Sequence, residues 1–292
     1  MSEPRLQHVP CLSATGLHRM AYWEWGDSAN PRVLVCVHGL ARQGRDFDSL
    51  AADLCSDYRV ICPDVVGRGQ SERLRDAMAY GFPTYVADMV TLLARLGVDQ
   101  VDWVGTSMGG IIGMLLAAQQ DRAGRRLVRK LVLNDVGPAY EQLFVDRLKT
   151  YLGQPVHWKT VDEAADALLR ISAGFGAHTR EQWLALTRPM LAPAGEGFGL
   201  HYDPAIATPI RAMTPEVGAA GAAYLWHCYG QIVAPTLLLR GADSDLLTPA
   251  TAARMAAEGP CAQLHEFAGV GHAPTLVQDE QRAVVRRFLL GP

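Results

Sequence analysis

The chain has 292 residues, 49% hydrophobic and 20% charged, with 27 Lys plus Arg against 30 Asp plus Glu. This composition excludes a disordered chain and fits one large globular domain or a core carrying an insertion. A formal net charge of −3 lacks the basic excess of a typical nucleic-acid binder, and no stretch reaches the roughly 18 consecutive apolar residues of a membrane span. The opening MSEPRLQHVP lacks the basic-then-apolar order of a secretory signal, so a cytoplasmic protein without membrane or nucleic-acid partners is expected. Cysteines at 11, 36, 55, 62, 228 and 261 show neither C-x-x-C nor zinc-ligand spacing. No disulfide and no metal site is expected from them.

In chain order, the alternation in His18–Trp25 predicts an early, half-exposed strand. Val33–His38 is a continuous apolar run, as in a strand covered on both faces, and Arg59–Pro63 follows. Thr84–Leu96 carries Tyr85, Met89, Leu92, Leu93 and Leu96 at helical spacing and stops at Gly97. A strand at Val101–Gly105 leads into Met108–Gln120, apolar almost all round and so a buried helix. Strands at Lys130–Asn134, Thr236–Arg240 and Gln263–Phe267 and a closing helix at Ala283–Leu290 complete an α/β pattern with a mostly parallel sheet. Strand starts at 33, 59, 101 and 130 lie 26, 42 and 29 residues apart, but the next start, at 236, is 106 further on. That gap is too long for a structureless loop. Residues 138–229 therefore read as a helical cap inserted into a core of 1–137 and 230–292. Its helices are expected at Glu141–Leu152, Val161–Ile171, Arg180–Thr187 and Pro215–Tyr229, with Gly/Pro-rich turns such as Ala192–Gly199 between them.

Gly105-Thr106-Ser107-Met108-Gly109 fits G-x-S-x-G and lies between a strand and a helix, the context a nucleophile elbow requires. Ser107 on that sharp turn would project its hydroxyl above the sheet. Gly105 and Gly109 would remove side chains that collide there, and the helix start would aim N–H groups at the reacting oxygen. A serine needs a base. His272, in Gly269-Val270-Gly271-His272 after the last strand, is placed to take the Ser107 proton and return it to the leaving group. An acid should orient the imidazole. The loop Gly241-Ala242-Asp243-Ser244-Asp245 offers two, and Asp245 is preferred for its D-x-x-x-P frame with Pro249. Asp243 is the rival, and Asp135, just after KLVLN, can face the same crevice.

His38-Gly39-Leu40 ends the first buried strand, and a loop there can aim the Leu40 N–H at the same point as the Met108 N–H, forming an oxyanion hole. His38 itself reads as a structural loop residue. Asp64–Ser71 (DVVGRGQS) is glycine-rich but lacks both phosphate-binding patterns, and reads as a turn near the rim of the site.

With HGLARQGRDFDSLAADL, YRVICPDVVGRGQSE, GTSMGG, TLLLRGADSDLL and GVGHAP in this order, the sequence resembles the α/β-hydrolase superfamily over about residues 15–137 and 230–290. Members often carry the acid three residues after the glycine of the G-x-x-D loop; here that position is Ser244. The resemblance implies hydrolysis of an ester or related acyl bond of a small-molecule substrate through an acyl-serine, without metal or organic cofactor, by a monomer or homodimer. Ser107 at the elbow argues against dehalogenases and epoxide hydrolases, which carry aspartate there. Lactonase, thioesterase and C–C bond hydrolase activities use the same triad, and non-catalytic receptors share the fold. Trp158, Trp226 and other cap aromatics are candidates for holding an apolar substrate, and Arg42 for contacting a substrate carboxylate.

Overall fold

A computed structural model describes residues 3–139 and 142–291. The N-terminal hairpin pairs β1 (Arg5–Ser13) with β2 (Gly16–Trp25). There follow β3 (Val33–Val37), α1 (Asp48–Leu54), β4 (Arg59–Pro63), α2 (Phe82–Leu96), β5 (Val101–Thr106), α3 (Met108–Ala117) and β6 (Val128–Asn134). The chain then runs through α4 (Gln142–Tyr151), α5 (Val161–Ile171), α6 (Arg180–Thr187), a small hairpin of β7 (Leu191–Ala194) and β8 (Gly197–Leu200), α7 (Ala207–Ala212) and α8 (Pro215–Gly230). It returns to the sheet with β9 (Thr236–Gly241), α9 (Pro249–Ala257), β10 (Gln263–Phe267) and α10 (Asp279–Leu290). Among the described residues, eight strands form one sheet in the order β1-β2-β4-β3-β5-β6-β9-β10. The pairings β1–β2 and β2–β4 are antiparallel and the others parallel.

The centre of the sheet follows from composition. Every residue of β3 is buried, because helices cover both faces, and two apolar clusters form the layers above and below. All ten residues of α3 are buried, as its unbroken apolar surface requires. Gly97 closes α2 in the left-handed region (φ 69°), donating to the carbonyls of Leu93 and Ala94.

Two strand features depart from the sequence reading. β1 was not expected: it is an edge strand with Leu6 and Leu12 exposed, so its alternation is blurred, and only pairing with β2 defines it. The Ala192–Gly199 turn is instead the β7–β8 hairpin, with Gly195 at its tip (φ 57°). The Glu141 start expected for the first helix after β6 lies outside the described residues.

The segment between β6 and β9 is tied to the sheet through the 64–71 turn. The Gly69 N–H donates to His201 Nδ1 at 2.6 Å and the Asp203 N–H to the Gly67 carbonyl at 2.8 Å. The Tyr80 hydroxyl donates to Asp203 at 2.7 Å. Burial, reinforced by nearby arginines, pushes the His201 pKa down to about 3. Below its ordinary value near 6.5 the unfolded chain takes up a proton that the folded imidazole refuses. Its contribution to stability is therefore complete above that pH and lost as pH falls towards 3. His201→Asn keeps an acceptor for Gly69 but cannot titrate. In urea unfolding at pH 7.5, 6 and 5, wild type should lose about 1.4 kcal/mol relative to this variant per pH unit below 6.5. A pH-independent gap would refute the buried neutral imidazole.

Candidate active site

The strand–turn–helix from β5 to α3 places Ser107 in a strained conformation, φ 51° and ψ −116°. A methyl group on Gly109 would overlap the Val37 carbonyl oxygen, and one on Gly105 would overlap the Gly109 carbonyl, so only glycine lets α3 lie this close to β3 and β5. The Ser107 N–H donates to the Asn134 carbonyl at 3.0 Å. The Asn134 side chain in turn donates to Thr106 Oγ1 at 2.9 Å and to the Pro274 carbonyl at 2.8 Å. The elbow and the loop after β10 are thus held by one amide.

That loop brings His272 Nε2 to 3.0 Å from Ser107 Oγ. His272 Nδ1 lies 2.8 Å from Asp135 Oδ2. Asp135 follows β6, the strand next to β5, in the left-handed region (φ 55°), and its N–H donates to the Leu239 carbonyl at 2.8 Å. Its buried carboxylate accepts three hydrogen bonds, from the Gly241 N–H at 2.9 Å, from the Ser244 hydroxyl at 2.7 Å and from His272. Ser244 Oγ also accepts the N–H groups of Leu246 (3.3 Å) and Leu247 (3.1 Å), which leaves its single proton for Asp135.

The preferred acid, Asp245, is therefore corrected. It is half exposed and paired with Arg147 of α4, its Oδ1 3.2 Å from Arg147 Nη2. Asp243 is also exposed, and its backbone N–H is spent on the Val270 carbonyl. The loop after β9 presents Ser244, and not either neighbouring carboxylate, to the imidazole side. Two signals in the sequence pointed this way when combined: serine at the usual acid position, and an aspartate directly after the strand beside the elbow strand.

A cavity of about 270 Å³ opens over Ser107 and His272. Leu40 and Met108 line it, and Gly39 packs so close that a Cβ there would stand 3.7 Å from Ser107 Cβ. His38 is buried, with Nδ1 2.7 Å from the Gly39 carbonyl and Nε2 accepting the Val65 N–H at 2.9 Å. Burial holds its pKa down near 3, so the ring is neutral and braces this loop. The glycine-rich 64–71 turn has a second task. Arg68, fully buried, donates to the carbonyls of Leu40 (2.9 Å) and Val66 (2.7 Å) and to the Tyr85 hydroxyl (3.0 Å), and its guanidinium lies 3.8 Å from Met108 Sδ.

Of the expected substrate contacts, Arg42 lines the cavity, but its guanidinium grips Asp46 through bonds of 2.6 and 2.8 Å. Trp158 and Trp226 do not line it. Trp158 exchanges backbone hydrogen bonds with Phe198, and Trp226 lies under the Arg254 guanidinium, 3.7 Å from its ring centroid. Two residues of α4 were missed: Phe144, edge-on to the His272 ring at 5.0 Å, and Arg147, whose guanidinium carbon lies 5.0 Å from the Phe144 centroid. No sequence signal marked them, because an aromatic on an amphipathic helix reads as packing.

Among the described residues, Cys11, His18 and Asp88 bring potential metal ligands within 4.8 Å of one another. None of them lines the cavity. The Cys11 thiol is pushed up to about 12 by burial and the Asp88 charge, so it stays protonated and is a poor ligand. His18 Nε2 is already 2.9 Å from Asp88 Oδ2.

The family model for the α/β hydrolase fold matches residues 32–278, and the chain belongs to that family. It is a hydrolase. The chain is 54% identical, over 99% of its own length and 99% of the other's, to the 3-hydroxybutyrate-oligomer hydrolase of Cupriavidus necator. It is 27% identical to the esterase YbfF of Escherichia coli over 89% of this chain and 94% of that one. Among solved structures, an α/β hydrolase from Novosphingobium aromaticivorans superposes with a TM-score of 0.85 at 35% identity, covering 99% of each chain. Among the described residues no helix is long and apolar enough to cross a membrane.

Arg68→Met would strip the Leu40 and Val66 carbonyls of a buried donor, a loss of roughly 1–3 kcal/mol for each group left unpaired. Urea unfolding should show the variant destabilised by at least about 2 kcal/mol. A variant as stable as wild type would show that the guanidinium does not hold this loop.

Proposed function

We propose that the protein hydrolyses the ester bonds of 3-hydroxybutyrate oligomers through an acyl-serine formed on Ser107. The observation that carries this reading is the continuous hydrogen-bonded line Ser107–His272–Asp135 beneath a mainly apolar cavity. The substrate class rests on the 54% identical relative.

In this reading His272 Nδ1–H donates to the Asp135 carboxylate and Nε2 accepts the Ser107 hydroxyl proton. Ser107 Oγ attacks the ester carbonyl as its proton passes to Nε2. Asp135 stabilises the imidazolium, and Ser244 and the Gly241 N–H fix the Asp135 carboxylate. The N–H groups of Leu40 and Met108 receive the developing oxyanion; Met108 opens α3, where no intrahelical carbonyl claims its N–H. His272 then protonates the leaving alkoxide, and a water activated by the same imidazole releases the acid. Residues 138–229 act as the cap that supplies much of the apolar wall, through residues such as Phe144, Leu168 and Met190. A short chain of methyl-bearing ester units suits this surface.

A fluorophosphonate should label wild type and not Ser107→Ala. On p-nitrophenyl butyrate, Asp135→Asn should lower kcat by about 10⁴-fold, as loss of the orienting acid does. Asp245→Asn should lose at least a hundredfold less. Wild type should also split the 3-hydroxybutyrate dimer into two monomers, measured chromatographically. Absence of labelling and of turnover on both esters would overturn the assignment, and a larger loss at Asp245 than at Asp135 would move the acid.

A further inference from the structure

An oligomer of 3-hydroxybutyrate ends in a free carboxylate, and a mainly apolar cavity gives that charge few places to go. Two arginines line the cavity, Arg42 and Arg147. Each meets an acid through two bonds, Arg42 with Asp46 and Arg147 with Asp245, but the Arg42 and Asp46 side chains are only 16% exposed. Arg147 differs. Its partner Asp245 does not line the cavity, and the two side chains are 50% and 47% exposed. An ion pair so exposed to water is worth little and can exchange its carboxylate for another.

The position of Arg147 selects which part of a substrate it would meet. Phe144 stands edge-on to the His272 ring at 5.0 Å, and the Arg147 guanidinium carbon lies 5.0 Å from the Phe144 centroid. The Arg147 guanidinium carbon therefore lies at most about 10 Å from the His272 ring centroid, reached through Phe144. His272 must protonate the leaving alkoxide, so the leaving group departs on that side. In a 3-hydroxybutyrate leaving unit, the terminal carboxylate carbon is four bonds from the scissile carbonyl carbon, about 5 Å when extended. A bidentate guanidinium contact adds about 4 Å. That sum, about 9 Å, falls within the span of at most about 10 Å between the His272 ring and the Arg147 guanidinium.

Resting on the reading above, we propose that Arg147 is the anchor for the free carboxylate of the leaving unit. Asp245 is its resting partner, which the substrate displaces. The ester C–O bond nearest the carboxyl end then breaks. The leaving alkoxide takes its proton from His272, and the shortened chain stays as acyl-Ser107 until water releases it. Each turnover removes one hydroxy acid from the carboxyl end.

The experiment compares kcat/KM for the 3-hydroxybutyrate dimer as free acid and as methyl ester, in wild type, Arg147→Gln, Arg147→Lys and Asp245→Asn. Arg147→Gln should lower the acid-to-methyl-ester ratio roughly 10- to 100-fold, mainly through KM for the acid, as loss of a charge-assisted bidentate contact does. Arg147→Lys should recover part of that loss, and Asp245→Asn should raise the ratio by freeing the guanidinium. An Arg147→Gln ratio equal to wild type overturns the anchor while leaving the esterase reading in place. Failure of wild type to cleave either form overturns both.

Discussion

The carboxylate of Asp135 is the fixed point of the site. Buried as it is, it would be costly were it not given three donors, and these come from two separate stretches of chain. Gly241 closes β9, Ser244 lies in the loop beyond it, and His272 belongs to the loop after β10. Satisfying one charge therefore sets the relative positions of two loops. The imidazole then has one orientation in which it also meets Ser107. The histidine that meets the strained serine is thus pinned from behind.

The opposite wall of the site is held by groups that do no chemistry. A neutral, buried His38 bridges the Gly39 carbonyl and the Val65 N–H, and Arg68 gathers the Leu40 and Val66 carbonyls. These contacts join the loop after β3, which packs beside Ser107, to the turn after β4. In the proposed reaction such bracing would keep the oxyanion donors in place, since donors that must reorganise during the reaction lose much of their advantage. The same turn, through Gly67 and Gly69, takes hold of residues 201–203, so it also ties the segment between β6 and β9 to the sheet.

The two faces of the cavity differ in how firmly they are held. Arg42 and Asp46 form an enclosed pair near Gly39, whereas Arg147 and Asp245 meet in water. The residues between β6 and β9 also carry exposed apolar side chains on α5 and α8, among them Ile171 and Tyr224, while β3, β5 and β6 are buried almost throughout. The Ser107 side of the cavity thus rests on buried strands, while the Arg147 side faces solvent.

Much of this was legible in the sequence because it is local. Apolar runs bounded by turns marked β3, β4, β5, β6 and β9, the amphipathic stripe marked α2, and the Gly-x-Ser-x-Gly spacing marked the elbow, since steric crowding there is decided by residues two positions apart. The 106-residue gap between strand starts read as more than a loop, and α4 to α8 with the β7–β8 hairpin occupy it. The edge strand β1 escaped because its faces are defined by pairing with β2 and not by its own alternation. The partner of His272 escaped for a related reason: three aspartates, at 135, 243 and 245, were chemically equivalent on paper. Only the fold decided that the strand beside β5 ends in the buried one, and that Asp245 points to Arg147 in water. Which residues can react was a matter of side-chain chemistry, carried by the sequence itself. Which of them meet depends on strand order and burial, and those exist only once the chain has closed on itself.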